Sequence, residues 1–253
     1  MSNKQFTVVI PARFASTRLP GKPLRELAGK PMLQHVWERA MESKASDVVV
    51  ATDDPRIAEA AHKFDADVCM TSITHQSGSE RIAEVCRLRG WPDNRIIVNL
   101  QGDEPTMPAT LINQCAALLF DSEVDIGTLA SPLANDEDLH NPNVVKVLLD
   151  GYDNALIFTR SAVPFARSPE VQSLASRTAL HHHGIYAYHV AALIRMVAAP
   201  APAIEACEQL EQLRALHLGM TIRIARPDIR PGVGVDTEAD LKRAERQMKN
   251  LSV

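Results

Sequence analysis

Several things are missing from this sequence of 253 residues, and each absence removes a class of protein. No run approaches the roughly 18 consecutive apolar residues that a membrane-spanning helix needs. The stretch from Met1 to Ile10 is apolar only briefly before Pro11 and carries no small-residue cleavage site, so neither membrane insertion nor a secretory leader is expected. Cysteine is scarce. Cys69, Cys86, Cys115 and Cys207 show no CxxC spacing and are too sparse for a disulfide framework, which predicts reduced thiols in a cytoplasmic protein. A basic excess is absent too: with 27 Lys and Arg against 31 Asp and Glu, the net charge of -4 offers no field to hold a polyanion, so nucleic acid is not an expected partner. Neither GxxxxGKS/T nor GxGxxG occurs, so phosphate held against a glycine-rich helix start is not indicated.

What is present is an ordinary globular composition, 45% hydrophobic and 23% charged. Up to about Leu119, apolar runs alternate with helical patterns, the βαβ rhythm of a mostly parallel sheet with helices on both faces. Thr7 to Ile10, Val48 to Ala51, Val68 to Met70 and Ile96 to Leu100 read as strands; Pro31 to Lys44, Pro55 to Phe64 and Gly78 to Arg89 read as helices. Ser77-Gly78-Ser79-Glu80 has the spacing of a capping box. Beyond Leu119 the rhythm changes. Ile126 to Ala130, Val144 to Leu149, Ala155 to Thr159 and Gly184 to Tyr188 are strand-like with few helices between them, which predicts an antiparallel or mixed addition. Val163 to Thr178 reads as loop, Ile204 to Leu218 as one amphipathic helix, Thr221 to Ala225 as a last strand, and Thr237 to Lys249 as a helix capped by Thr237. Strands without helical cover, and the apolar run Val190 to Pro202, predict a homodimer built from this second segment.

Chemistry concentrates in loops that follow strands, the ligand-binding end of an α/β sheet. After the first strand, Ile10-Pro11-Ala12-Arg13-Phe14-Ala15-Ser16-Thr17-Arg18-Leu19-Pro20-Gly21-Lys22-Pro23 places three cations among prolines, hydroxyls and a glycine. That set suits a polyphosphate held by side-chain cations, the competing reading being a turn paired with surface carboxylates. Asn99-Leu100-Gln101-Gly102-Asp103-Glu104-Pro105 follows another apolar strand, and Gly232 to Thr237 forms a second acidic loop with Asp236 before a helix. Either aspartate alone reads as a helix cap; together, on one sheet edge with the cationic loop, they suit Mg²⁺ bridging a triphosphate. Asp53 and Asp54 read as helix caps. The Ser77 to Arg81 turn points amides and a cation at the same region, either to read a base or phosphate or simply to cap the helix. Arg160, after an apolar strand, is placed to grip an anion bidentately. His181-His182-His183 cannot converge on one ion, because successive strand side chains point to opposite faces.

PARFASTRLPGKPL, VATDD, HQSGSER, NLQGDEP, HNPNVVKV, HHHGIYAY, LEQLRAL and GVDTEADL together resemble, in content and order from Val8 to Leu241, the bacterial 3-deoxy-manno-octulosonate cytidylyltransferases, the CMP-Kdo synthetase family. The resemblance implies a Rossmann-like nucleotide-diphospho-sugar transferase fold with a nucleotide-binding part at 1–130 and 221–253, and a smaller mixed-sheet part at 131–220 for the sugar and for dimerisation. It implies transfer of CMP from CTP to 3-deoxy-D-manno-octulosonate (Kdo), for lipopolysaccharide synthesis, by a cytoplasmic homodimer that requires Mg²⁺. Residue by residue, it implies nucleotide contacts from Ala12, Arg13, Ser16, Arg18, Lys22, Ser77, Arg81 and Gln101, and metal ligation by Asp103 and Asp236. Arg13, Lys22, Asp103 and Asp236 would then be the catalytic set. Gln101, Arg160, His182, Tyr186, Glu211 and Gln212 would line the sugar pocket. The family usually has an aliphatic residue where His183 stands and often Arg at His189, so another acid sugar, 8-amino-Kdo or a sialic acid, is the nearest alternative substrate. A non-catalytic nucleotide-binding protein of the same fold is the alternative from another class, and one that would not need both aspartates.

Overall fold

A computed structural model describes residues 4–15, 19–120, 123–229, 231–232 and 234–251. Its strands are β1 (Phe6–Ala12), β2 (Glu26–Leu27), β3 (Lys30–Pro31), β4 (Asp47–Thr52), β5 (Asp67–Met70), β6 (Ile96–Asn99), β7 (Ile126–Pro132), β8 (Lys146–Leu149), β9 (Ala155–Thr159), β10 (Leu180–His189) and β11 (Ile222–Ala225). The helices are α1 (Met32–Met41), α2 (Pro55–His62), α3 (Gly78–Leu88), α4 (Ala109–Ala117), α5 (Gln172–Thr178), α6 (Val190–Ala198), α7 (Ala203–Glu208), α8 (Gln212–His217) and α9 (Glu238–Leu251).

Two-sided burial explains the apolar runs. In β1 every residue is buried; Val8 and Ile10 join Leu33 of α1, Ile57 of α2 and Leu111 of α4 on one face, while Val9 joins Ile82 of α3, Leu193 of α6 and Leu213 of α8 on the other. Helices therefore cover both faces of the central sheet, as expected of parallel strands. The strand order is β11-β7-β10-β6-β1-β4-β5, parallel throughout except for β10, which runs antiparallel between β6 and β7. The β8–β9 hairpin hangs from the first residues of β10. Because β10 lies inside the central sheet, residues 131–220 do not form a sheet of their own; only the hairpin extends beyond the main path.

Several elements differ from the sequence expectation. Residues 163–178 are not all loop: α5 forms there and packs Ala175 against Leu139 and Ala179, a helix too short for its period to show in sequence. The helix expected over 204–218 is two, α7 and α8, broken where Gln209 adopts a left-handed φ of 52°. α4 was not foreseen. The apolar run from Val190 is α6, and its Val190, Leu193 and Met196 are buried on the sheet within this chain, so it is not an uncovered surplus. Exposed apolar side chains do remain on the strand-rich segment, among them Tyr152, Leu156, Phe165 and Leu174. Among the described residues no helix is long and apolar enough to cross a membrane.

Candidate active site

The loops after β1, β5, β6 and β11 all leave the same edge of the sheet, because those strands run in the same direction. They enclose a cleft of about 280 Å³ lined by Ala12, Arg13, Lys22, Ser77, Arg81, Gln101, Asp103 and Asp236, together with Pro11, Pro23, His75, Gln76, Gly78 and Gly102. Gly102 is required here: a Cβ would stand 2.9 Å from the carbonyl oxygen of Pro11. The strand ends can approach this closely only without a side chain.

Lys22 is the electrostatic centre. Its Nζ donates to Oδ2 of Asp103 at 2.7 Å and to Oδ1 of Asp236 at 3.0 Å, joining loops 214 residues apart in sequence. Burial works against its charged form, yet the two carboxylates outweigh burial and the Lys22 pKa is raised. The backbone fixes the same junction, with Val235 N–H donating to the Asp103 carbonyl at 2.8 Å. Beside it, burial first and then the charges of Asp103 and Asp236 push Glu104 up to about 8, against the pull of Lys22. Arg13 is exposed at the cleft, with no ion-pair or hydrogen-bond partner among the described residues. Ser16 and Arg18 lie outside the described residues.

A lysine ammonium held between two aspartates is a stand-in for a cation, so these residues fit a divalent metal. No group of three or more His, Cys, Asp or Glu side chains suited to an ion occurs among the described residues. A carboxylate pair of this kind suits Mg²⁺, which keeps several waters and takes further oxygens from substrate phosphates.

Arg81 is not an idle cation. It is 3% exposed, pairs with Asp53 at 2.9 Å and bonds Thr71. Asp53 is therefore this arginine's partner rather than a helix cap; the cap of α2 is Asp54, which accepts from Arg56 N–H at 2.9 Å. Ser77 caps α3, accepting from Glu80 N–H at 3.2 Å, and its hydroxyl also donates to Glu211 at 2.7 Å. Ser79 donates to the other Glu211 oxygen at 2.5 Å. Glu211, placed with the sugar residues by resemblance, thus ties α8 to the start of α3, and in this structure both of its oxygens are engaged.

Of the sugar-side set only Gln101 lines the cleft. Gln101 donates to Asn99 Oδ1 at 3.1 Å. Arg160 rests on carbonyls, giving Nε to Glu208 at 2.7 Å and Nη1 to Pro142 at 2.9 Å. Lys146, fully buried and not singled out from the sequence, bridges the carbonyls of Asn141 and Arg160 at 2.8 and 2.6 Å. His182 and Tyr186 have ring centroids 5.3 Å apart. In a regular strand residues four apart stand roughly 13 Å from each other. The bulge between His183 and Tyr186 removes that separation, and the Thr128 hydroxyl serves it, donating to the Ile185 carbonyl at 2.6 Å. Burial pushes His182 down to about 3 and Tyr186 upward. The Nε2 of Gln212, buried, has no partner among the described residues. His75 was missed; its only sequence signal was its place in HQSGSER, next to the capping serine.

Comparison with known proteins decides the family. The model of a family described as cytidylyltransferase matches residues 7–222. This chain belongs to the cytidylyltransferases. It is 49% identical over 245 residues to the 3-deoxy-manno-octulosonate cytidylyltransferase of Actinobacillus pleuropneumoniae serotype 7 (strain AP76), covering 95% of this chain and 98% of that one. The enzyme of the same description from Cellvibrio japonicus (strain Ueda107) is 48% identical over 246 residues, 95% and 96% of the two chains. A solved structure of a CMP:2-keto-3-deoxy-manno-octonic acid synthetase complexed with CTP is similar with a TM-score of 0.90 and 37% identity, over 98% of this cytidylyltransferase and 99% of that chain.

Proposed function

We infer that this chain is a 3-deoxy-manno-octulosonate cytidylyltransferase: it transfers CMP from CTP to the anomeric hydroxyl of Kdo and releases pyrophosphate, activating the sugar for lipopolysaccharide synthesis. The observation that carries the reading is the near-full-length kinship to enzymes of that description, in a chain whose Lys22, Asp103 and Asp236 meet in one cleft.

The sugar hydroxyl oxygen attacks the α-phosphorus in line, the bond from that phosphorus to the bridging oxygen breaks, and the hydroxyl loses its proton. Negative charge gathers on the departing pyrophosphate. Arg13 and Lys22 are cations at the cleft that can meet it, and fixed positive groups act most strongly where charge develops. Asp103 and Asp236 would hold Mg²⁺, which when bound supplies Lewis-acid neutralisation of the phosphoryl oxygens. Gln101 stands between the nucleotide cleft and the β10 side, placed to meet the incoming sugar. Gln212 offers a buried polar group and Tyr186 a half-buried one on that side, and Arg160 a cation for the sugar carboxylate.

A second copy of the chain covering Tyr152, Leu156, Phe165 and Leu174 would complete a homodimer, and the use of CTP fits a cytoplasmic enzyme. Size-exclusion chromatography with light scattering reads the assembly, and a single-chain mass removes the dimer. The activity is tested by pyrophosphate release with CTP, ATP or GTP against Kdo, 8-amino-Kdo and a sialic acid. CTP with Kdo should be fastest by a wide margin; equal rates with a purine triphosphate or with a sialic acid overturn the assignment.

A further inference from the structure

Outside the cleft, Arg56 of α2 meets Phe14 of the cationic loop. The guanidinium carbon of Arg56 lies over the Phe14 ring, 3.4 Å from its centroid. That guanidinium is held in turn by Asp54, with Nε and Nη2 donating to the two carboxylate oxygens at 2.9 and 2.7 Å. On the loop side Phe14 closes a neck: its carbonyl accepts from Gly21 N–H at 3.3 Å, and a Cβ on Gly21 would meet the ring at 3.2 Å. Gly21 has a φ of +64°, the left-handed region that favours glycine, so the ring can lie directly on its backbone.

The neck joins the residue after Arg13 to the residue before Lys22. Whatever moves the Phe14 ring therefore changes the spacing of the two cations assigned to the triphosphate. We propose that Arg56, although it touches no substrate, is a positioning residue for CTP: stacked on Phe14 and fixed by Asp54, it holds the Phe14–Gly21 neck so that Arg13 and Lys22 keep their separation. The proposal rests on the assignment of those two cations to the nucleotide. The cation–ring contact supplies the attraction, and the fork to Asp54 fixes the guanidinium over the ring. Because the Arg56 side chain is 62% exposed, its removal opens no cavity, and Asp54, 16% exposed, keeps the bond it accepts from the backbone N–H of residue 56.

The experiment uses the full chain with Mg²⁺ and compares wild type, Arg56→Ala, Arg56→Lys, Phe14→Leu and the Arg56→Ala/Phe14→Leu double variant. Arg56→Ala should raise KM for CTP, and the calorimetric Kd for CTP, by about three- to tenfold, with KM for Kdo within about twofold and Tm within about 2 °C. Arg56→Lys, which returns a cation but not the fork, should recover part of the loss. In the double variant the effects should be less than multiplicative, since Arg56 acts through the ring. The proposal falls if Arg56→Ala leaves KM and Kd for CTP unchanged, if both substrates suffer equally, or if the two losses multiply in full. Absence of pyrophosphate release in the wild type would overturn the assigned activity instead, while the calorimetric Kd still reads the neck.

Discussion

The two sides of the catalytic region are built on different plans. On the nucleotide side, parallel strands end together, and their loops present Arg13, Lys22, Asp103 and Asp236 as an array of opposite charges around open space. On the sugar side, one antiparallel strand, a hairpin and a broken helix bring polar groups together that are largely engaged with one another: Glu211 with two serines, Arg160 with two carbonyls, His182 beside Thr128. The first side invites a highly charged ligand whose phosphates replace the internal ion pairs. The second is a pre-formed polar framework in which few donors, such as the Gln212 amide, remain uncommitted. On the proposed assignment charge handling and shape recognition are thus separated, and substitutions on the two sides should fail in different ways.

The largest effect is expected from the carboxylates. Asp103→Asn and Asp236→Asn should each lower turnover by about 10² to 10⁴ with native circular dichroism, because a positioned ion supplies several kcal/mol to the transition state. Near-normal turnover at saturating Mg²⁺ would reduce the aspartate concerned to a partner of Lys22. Next come the cations. Lys22→Ala should raise KM for CTP by about 10- to 100-fold, and Arg160→Ala should raise KM for Kdo by about tenfold, as a charge-assisted contact to the carboxylate is lost. A defect of Arg160→Ala confined to CTP would erase the division between the sides.

A smaller effect follows from His182. Its pKa falls from 6.5 to about 3 through burial, with His183 and His181 adding to it. Below about pH 6.5 the unfolded chain takes up a proton that the folded chain refuses, so its share of stability is complete above that pH and is lost as pH falls toward 3. At pH 5 the loss is about 2 kcal/mol at roughly 1.4 kcal/mol per pKa unit. Urea unfolding of wild type and His182→Phe at pH 7.5 and pH 5 reads the difference; an equal drop in both would assign the pH dependence to other groups. The smallest effect is local. Gln209 is exposed and left-handed between α7 and α8, so Gln209→Gly should gain about 0.5 to 1 kcal/mol, a rise in Tm of about 1 to 4 °C. An unchanged or lower Tm would mean that the turn is not strained.

The same contrast decides what could be read from residues alone. The nucleotide side was legible because each piece is contiguous: an apolar strand, a breaker and a charged loop, repeated. Parallel order then brings the loops together without further information. The sugar side was not, because its contacts span great lengths of chain. Nothing near Glu211 signals that Ser77 and Ser79, more than 130 positions earlier, will take its oxygens. The pairing of Asp53 with Arg81 is hidden in the same way, since a short acidic step before a proline reads as a cap. Among the elements, α4 has a narrow polar face of the uncharged Thr110, Asn113 and Gln114, with no charged residue to mark it as a surface helix. The break at Gln209 has no glycine to announce it. The histidines at the start of β10 hid the strand's first half, where His182 is buried while His181 and His183 are only partly so.

The C-terminal helix returns to the beginning of the chain. Val235, Leu241 and Ala244 pack on Leu19, Leu27 and Met32, and Arg25 meets Glu238 at 2.8 Å. A ribosome adding about 5 to 20 residues per second makes Lys22 214 residues ahead of Asp236. Until then Lys22 lacks Asp236, and the apolar patch at Leu27 and Met32 has no cover. The junction of Lys22 with Asp236 therefore assembles only after the whole sheet has been made, and a chain cut between β11 and Val235 would leave Leu27 and Met32 as an adhesive surface.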